Sequence, residues 1–119
     1  MRKVKFFRNS TGECPIEKFL DNLSAKQSRK ITWVMRLIEE LEKVPILYLK
    51  KLNDTDNIWE IRIQSASNIF RILGFFDSND FIVTNGFCKK TQKTPSNEIV
   101  LAEKRKHEYM NKKKPGEQK

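Results

Sequence analysis

The stretch IWEIRIQSASNIFRILGFFDSNDFIVTNGFCK, residues 58–89, decides the fold. It contains three runs rich in β-branched and aromatic residues, at 58–63, 68–76 and 81–89, which are typical of strands. Only the short polar segments QSAS and DSND separate the three runs. Because connections this short join antiparallel neighbours, the stretch predicts a three-stranded meander.

Helices precede and follow this meander. A first strand is predicted at VKFF, residues 4–7, and a short helix at 14–23 with Pro15 in its first turn. A longer amphipathic helix is predicted at 25–44, with Ser24 as its N-cap and Pro45 as its stop. Its apolar stripe has helical spacing and consists of Ile31, Val34, Ile38 and Leu41.

A last helix is predicted to open at Thr94-Pro95, with Thr94 as N-cap and Pro95 in the first turn. The element order is therefore β-α-α-β-β-β-α. Helices and strands that segregate in this way predict an α+β fold, with a mostly antiparallel sheet and the helices packed on one face.

Composition narrows the class of protein. The 119 residues suit one domain, predicted at 1–111, with a basic flexible tail at 112–119. No apolar run reaches membrane-spanning length and the N-terminus has no apolar signal region, so we expect a cytoplasmic protein without membrane contact. Two distant cysteines and one histidine favour neither a metal site nor any other cofactor. The net charge of +9 favours a nucleic acid or an acidic protein as partner.

The strand register assigns side chains to two faces. If both polar segments are four-residue loops, Phe76 pairs with Phe81, and Arg71 lies between Glu60 and Gly86. One face, expected to lie under the helices, then holds Trp59, Ile61, Ile63, Phe70, Ile72, Val83 and Phe87. The other face holds Glu60, Arg62, Arg71, Gly86, Cys88 and Lys90.

The second face has residues suited to phosphate chemistry. Arg62, Arg71 and Lys90 could bind a phosphate from three directions. Glu60 beside them could act as a general base, which would allow RNA cleavage by attack of the 2′-OH without a metal. The alternative is an ordinary ion pair between Glu60 and Arg71 on a solvated sheet face.

Two lysine-rich segments could add phosphate contacts. Lys89, Lys90, Gln92 and Lys93 stand where the last strand ends and the last helix begins, and the free N–H groups of a helix N-terminus favour anions. The alternative for these residues is a hydrophilic loop. Lys50 and Lys51 are either a solvated pair or contacts to an RNA backbone.

The phrase GF-x-KKTQKTP…EI-x-x-A-x-x-R, at 86–105, and the shorter pieces WE-x-R and FRI resemble the RelE/ParE superfamily of toxin–antitoxin toxins. The resemblance covers about residues 4–109 and is strongest to the HigB-like, phage-derived branch. It implies a RelE-like α+β toxin. It matches Arg62, Arg71, and Lys89 or Lys90, to basic positions of the family. Glu60 stands where RelE has a lysine.

The resemblance also implies an activity and partners. Ribonuclease members of the superfamily cut messenger RNA on the ribosome, and a cognate antitoxin neutralises them. In the HigB-like branch the antitoxin is a helix-turn-helix protein, HigA-like, and higher-order toxin–antitoxin complexes are expected. Two other functions stay open: ParE-like inhibition of DNA gyrase without nuclease activity, and a non-catalytic RNA-binding module.

Overall fold

The computed structural model describes residues 2–89 and 93–117. Its elements, in chain order, are β1 (Lys3–Phe6), α1 (Pro15–Asp21), α2 (Ala25–Glu40), β2 (Leu49–Lys51), β3 (Trp59–Ser65), β4 (Asn68–Asp77), β5 (Asp80–Lys89) and α3 (Ser96–Glu117). The strands form one sheet in the order β1-β5-β4-β3-β2. β1 runs parallel to β5 and the other pairings are antiparallel. The α+β class is confirmed, with a mixed sheet.

The short strand β2 lies in the segment that the sequence predicts as a connector, so the predicted element order lacks one strand. Leu49 is buried in the core, and Lys50 pairs with Glu60 of β3. A strand of three residues is too short to show the alternation on which prediction depends. Its effect is to bring two lysines beside the meander.

Both hairpin loops contain two residues, so the prediction of four-residue loops was wrong. Ser65 pairs with Asn68, and Asp77 pairs with Asp80. Each loop begins with a residue of positive φ, Ala66 at 55° and Ser78 at 54°, which primed hairpin turns require. Neither residue is the Gly or Asn that usually marks such a turn. The signal of a tight turn was therefore missing from the sequence.

A β-bulge in β5 changes the register between the bulge and the end of the strand. Leu73 pairs with Asn85 but Gly74 pairs with Val83, which leaves Thr84 as an extra residue. The predicted pairing of Phe76 with Phe81 is confirmed, whereas Arg71 lies opposite Phe87 instead of Gly86. One inserted residue moves the later side chains to the opposite face. Phe87 therefore shares the face of Arg71, and the placement of Gly86 and Cys88 on that face was wrong.

Side chains from α3 and β5 satisfy the polar groups that the bulge leaves buried. The Thr84 hydroxyl lies 3.1 Å from Leu73 O and 2.6 Å from Asn85 Oδ1. Arg105 Nη1 donates to Thr84 O at 2.9 Å, and burial lowers the pKa of this guanidinium. Asn85 Nδ2 donates to Glu98 Oε1 at 2.9 Å. These bonds attach α3 directly to the irregular part of the strand.

Helices cover both faces of the sheet, so the prediction that all helices pack on one face was wrong. The core under α1 and α2 includes Ile16, Ile31, Val34, Ile38, Ile61, Ile63, Phe70, Ile72, Phe81 and Val83. A second core, under α3, consists of Phe7, Ile58, Leu73, Phe75, Ile82 and Ala102. The sheet is apolar on both faces in this region, and a second helical layer removes that surface from water.

The start of α2 agrees with the prediction and its end does not. Ser24 and Gln27 form a reciprocal capping box, with bonds of 3.1 and 3.0 Å. The helix ends at Glu40 because Leu41 adopts an extended backbone, so Leu41 is 38% exposed and does not belong to the buried stripe. Arg2 Nη1 donates to Ile38 O and Leu41 O at 2.6 Å and so satisfies carbonyls at this end.

Helix α3 begins at Ser96 and continues to Glu117, into the segment 112–119 for which the sequence predicts a flexible tail. Lys113 Nζ donates to Asp77 Oδ2 at 2.7 Å, next to the loop between β4 and β5. The domain boundary at 111 and the mobility of 112–119 stay predictions. Of the helices described, none has the length and apolar character needed to cross a membrane.

Candidate phosphate-binding cleft

Glu60 and Arg71 form a buried ion pair on the α3 side of the sheet. Arg71 Nη1 donates to Glu60 Oε1, and each side chain is 3% exposed. The two residues are diagonal neighbours, since Glu60 lies directly opposite Leu73. The predicted contact is therefore present without the predicted register. Its burial contradicts the alternative of a pair on a solvated face.

The second carboxylate oxygen of Glu60 accepts a hydrogen bond from the hydroxyl of Thr94. Thr94 precedes α3 by two residues, so the prediction that it is the N-cap residue was wrong. Glu60 thus connects β4, through Arg71, with the segment that enters α3. Both oxygens of the Glu60 carboxylate therefore already accept a hydrogen bond. This geometry suits a residue that positions its neighbours better than a general base that removes a proton.

Arg71 retains an unused donor at the site. Its Nε is buried and has no hydrogen-bond partner in the part of the chain that the structure describes. A buried N–H without an acceptor destabilises a folded protein by about 1–3 kcal/mol. A phosphate oxygen accepts such a bond readily, and arginine recognises phosphate with neighbouring donors of one guanidinium.

The ion pair lies at a cleft of about 340 Å³, a volume within the range of small-ligand sites. The cleft is lined by Lys50, Lys51, Leu52, Asn53, Glu60, Arg62, Arg71, Lys93, Thr94 and Ile99. Five of these side chains are cationic and one is a carboxylate. Arg62 and Arg71 face each other across neighbouring strands. Like charges held together in this way favour an anion between them.

The structure brings six of the predicted site residues together at the cleft. Lys50, Lys51 and Lys93 line the same cleft as the two arginines and Glu60. The backbone of Lys89 ends β5 opposite Ile69. Lys90 and Gln92 lie outside the described residues, so their predicted roles stay predictions.

Gly86 and Cys88 belong to the opposite face of the sheet. A Cβ at Gly86 would come within 2.7 Å of the Phe19 ring. This glycine therefore makes room for an aromatic ring of α1 and not for a ligand. Cys88 lies in register with Phe70 of the α1/α2 core.

Sequence reasoning missed Thr94 and Asn53 as members of the cleft. Thr94 stands before a proline and has the pattern of a helix cap, which hid its contact with Glu60. Asn53 follows β2, a strand that was itself not predicted. The only signal for either residue was its closeness in sequence to a lysine pair or lysine cluster.

His107 belongs to a different part of the surface. It is 70% exposed, and its Nε2 lies 3.4 Å from Asp56 Oδ2. Within residues 2–89 and 93–117, no three or more His, Cys, Asp or Glu side chains form a group that could hold a metal ion.

A family model described as phage-derived protein Gp49-like (DUF891) matches residues 18–107, most of the chain and every described residue that lines the cleft. The chain belongs to this family. The Gp49-like family is part of the RelE/ParE-like toxin superfamily, so the resemblance is confirmed at the level of the superfamily. A search of curated proteins gives no match to the chain.

Proposed function

We propose that this Gp49-like protein is a HigB-like toxin of a type II toxin–antitoxin system, and that it cleaves messenger RNA on the ribosome. The observation that carries the proposal is Arg71. It is a buried arginine fixed by Glu60; within the part of the chain that the structure describes, its Nε has no hydrogen-bond partner and four further cations line the same cleft. A fixed, partly unsatisfied guanidinium in a basic cleft suits a phosphate whose negative charge increases during reaction.

The proposed reaction needs no metal. A base takes the proton of a ribose 2′-OH, the 2′-oxygen bonds to the adjacent phosphorus, and the bond to the 5′-oxygen breaks. The products are a 2′,3′-cyclic phosphate and a 5′-hydroxyl end, which takes up a proton. Arg71 and Arg62, with the predicted Lys90, stabilise the charge on the phosphate oxygens. Glu60 orients Arg71, a role that its two hydrogen bonds support better than that of general base.

The remaining lysines of the cleft contribute binding more than chemistry. Lys50, Lys51 and Lys93, with the predicted Lys89 and Gln92, hold the backbone of messenger or ribosomal RNA. Membership of a toxin family supports an antitoxin partner. The proposal extends this partner to a HigA-like helix-turn-helix protein, in a higher-order complex, and places the toxin in the cytoplasm with the ribosome.

The test is tightly controlled expression in a bacterium, with mapping of new 5′ ends across all transcripts. Wild type is compared with Arg71→Lys, which keeps the charge but loses the forked geometry, and with Arg62→Ala. Lys104→Ala, an exposed lysine on α3, serves as the control. Loss of one donor to a developing anion lowers such rates about 10²–10³-fold.

We expect growth arrest and in-frame cuts in translated messages for wild type and Lys104→Ala. The cuts should be abolished in Arg71→Lys and reduced in Arg62→Ala. Arrest with intact messages would instead indicate a ParE-like gyrase inhibitor. Absence of arrest would leave a non-catalytic RNA-binding module.

A further inference from the structure

Three depressions follow one another on the surface, beginning at the cleft. The cleft shares Arg62 with a second depression of about 250 Å³, lined by Lys30, Val34, Leu47, Tyr48, Arg62, Ile63, Gln64 and Ile69. The second depression shares Lys30 and Gln64 with a third, lined by Lys26, Arg29, Lys30, Trp33, Gln64, Ser65 and Ala66. The three depressions are therefore adjacent, and together they define a path from Arg71 past Arg62 to Trp33 on α2.

The lining of this path is strongly basic beyond the cleft. Among the described residues, Arg62, Lys30, Lys26 and Arg29 contribute four cations to the lining of the second and third depressions, and none of the residues lining them contributes a carboxylate. A groove lined by one sign of charge concentrates counter-ions of the opposite sign. The path therefore suits an extended polyanion better than a compact ligand.

Aromatic and apolar groups lie between the cations. Trp33 is 48% exposed, and Lys30 Nζ lies 5.3 Å from its ring centroid. Tyr48 meets Trp33 edge to face, with centroids 6.2 Å apart. Exposed rings that alternate with cations along a groove are the combination by which proteins bind single-stranded nucleic acids, because bases stack on the rings while phosphates contact the cations.

We propose that a single-stranded RNA segment next to the cleaved phosphate occupies this path, with a base stacked on Trp33 and phosphates contacting Lys30 and Arg62. The inference deepens the proposed function and rests on it. The path is continuous with the cleft through Arg62. An acidic protein segment is the competing occupant, suggested by the exposed Ile46 and Leu47. RNA is favoured because Arg62 and Lys30 line successive depressions between the cleft and Trp33, and the apolar and aromatic groups between these cations suit bases.

The test measures binding of fluorescent 2′-O-methylated uridine oligonucleotides, which lack the attacking hydroxyl, by anisotropy. A tetranucleotide and a dodecanucleotide are compared on wild type, Trp33→Ala, Lys30→Glu and Arg71→Lys. Val100→Ala and Lys104→Glu change an exposed aliphatic residue and an exposed lysine of α3, and serve as matched controls. Thermal unfolding of each variant confirms that it is folded.

Wild type should bind the dodecanucleotide more tightly than the tetranucleotide. Trp33→Ala should weaken dodecanucleotide binding about tenfold, as expected for the loss of one stacked base, and reduce the advantage of the longer chain. Lys30→Glu should weaken binding more than Lys104→Glu does, although both change the net charge equally. Val100→Ala should have no effect.

Three results would overturn the inference, and a fourth would instead count against the proposed function. If binding depends on Arg71 but not on Trp33, the path is wrong while the proposed function stands, and Trp33 with Leu47 becomes a surface for a protein partner. If Lys30→Glu and Lys104→Glu weaken binding equally, the attraction follows net charge alone and the path is also wrong. Binding that depends on Trp33 but not on Arg71 would count against the proposed function and leave the path. Absence of binding to either oligonucleotide would overturn the path, whereas the proposed function, which acts on the ribosome, is tested separately by the mapping of 5′ ends.

Discussion

The face of the sheet under α1 and α2 is filled by apolar side chains from all three long strands, whereas the face under α3 is apolar in one part and charged in another. On the first face, contacts depend on shape, as where Phe19 of α1 packs over Gly86. On the second face, α3 is joined to the sheet by polar side chains, among them Asn85 and Arg105.

The difference shows how a small domain can combine a packed core with a charged cleft. α1 and α2 together cover one face, while α3 alone covers the other and leaves part of it to the cleft. Charged side chains at this uncovered part keep stable positions because they are paired, as Glu60 is with Arg71 and Thr94. The face packed by shape should lose stability when a side chain is enlarged. The face joined by polar contacts should lose stability when one partner of a contact is removed.

The largest effect is expected at Glu60. Glu60→Ala leaves Arg71 buried without its carboxylate and should lower the free energy of unfolding by about 3–5 kcal/mol, measured by urea denaturation. Glu17→Ala breaks an exposed pair with Arg8 and should cost at most about 1 kcal/mol. The double variant Glu60→Met with Arg71→Met should recover much of the loss, because no unpaired charge remains buried. Equal effects at Glu60 and Glu17 would contradict the role of the buried pair.

The next effect tests the face held by shape. A Cβ at Gly74 would lie 2.4 Å from Ile82 O, a backbone atom, and a Cβ at Gly86 would lie 2.7 Å from the Phe19 ring. Overpacking of this kind costs about 1–3 kcal/mol. Gly74→Ala should be more destabilising than Gly86→Ala, because a ring can move more easily than a paired strand.

Thermal unfolding of the two variants provides the measurement. Phe19→Leu, which removes the ring, should relieve Gly86→Ala and leave Gly74→Ala unimproved. If Phe19→Leu instead lowers the stability of both alanine variants equally, the ring does not determine the requirement for glycine at position 86.

Sequence patterns predicted the meander, the N-cap at Ser24 and the contact of Glu60 with Arg71. That contact was predicted correctly although both loop lengths were wrong. The observed register between β3 and β4 differs from the predicted one by two residues, and a shift of two leaves every side chain on its predicted face. The bulge at Thr84 inserts only one residue and so reversed the faces of Gly86 and Cys88. Neighbouring residues gave no signal for it, since Glu98 and Arg105, which stabilise the bulge from α3, lie far from Thr84 in the sequence.

The position of α3 was unpredictable for a related reason. A strand apolar on both faces, as β4 is at Leu73 and Phe75, requires helices on both sides of the sheet. The sequence shows that need, but it does not show which helix covers which face. Thr94 contacts Glu60 in the cleft because α3, which follows Thr94, packs on the face of the sheet that holds Glu60.

A smaller effect is expected at the bulge itself. Thr84→Val keeps the shape of the side chain but removes the hydroxyl that lies near Leu73 O and Asn85 Oδ1. An unsatisfied buried group costs about 1–3 kcal/mol, and we expect a value in the lower half of that range in urea denaturation. Thr32→Val, whose hydroxyl donates to Arg29 O on the exposed side of α2, is the control and should change little. Equal effects at both threonines would show that the bulge does not need its hydroxyl.

The smallest effect concerns the contact between α3 and the end of β4. The Tyr109 hydroxyl donates to Asp77 Oδ2 at 2.8 Å, and burial together with this bond raises the pKa of Tyr109 to about 12. The hydrogen bond from Lys113 lowers the pKa of Asp77, and this carboxylate, like any aspartate, is ionised throughout the alkaline range. Tyr109→Phe should cost about 1 kcal/mol at neutral pH.

The dependence on pH separates this contact from simple packing. An unfolded tyrosine ionises near pH 10 and folded Tyr109 near pH 12, so the folded state holds its proton more tightly. The stability that Tyr109 contributes is complete below pH 10 and is lost as the pH rises from 10 to 12. Lysines titrate in the same range, so the informative quantity is the difference between wild type and Tyr109→Phe. That difference should shrink across this range. Parallel curves for wild type and Tyr109→Phe would mean that the phenol contributes by packing on Phe75 and not through Asp77.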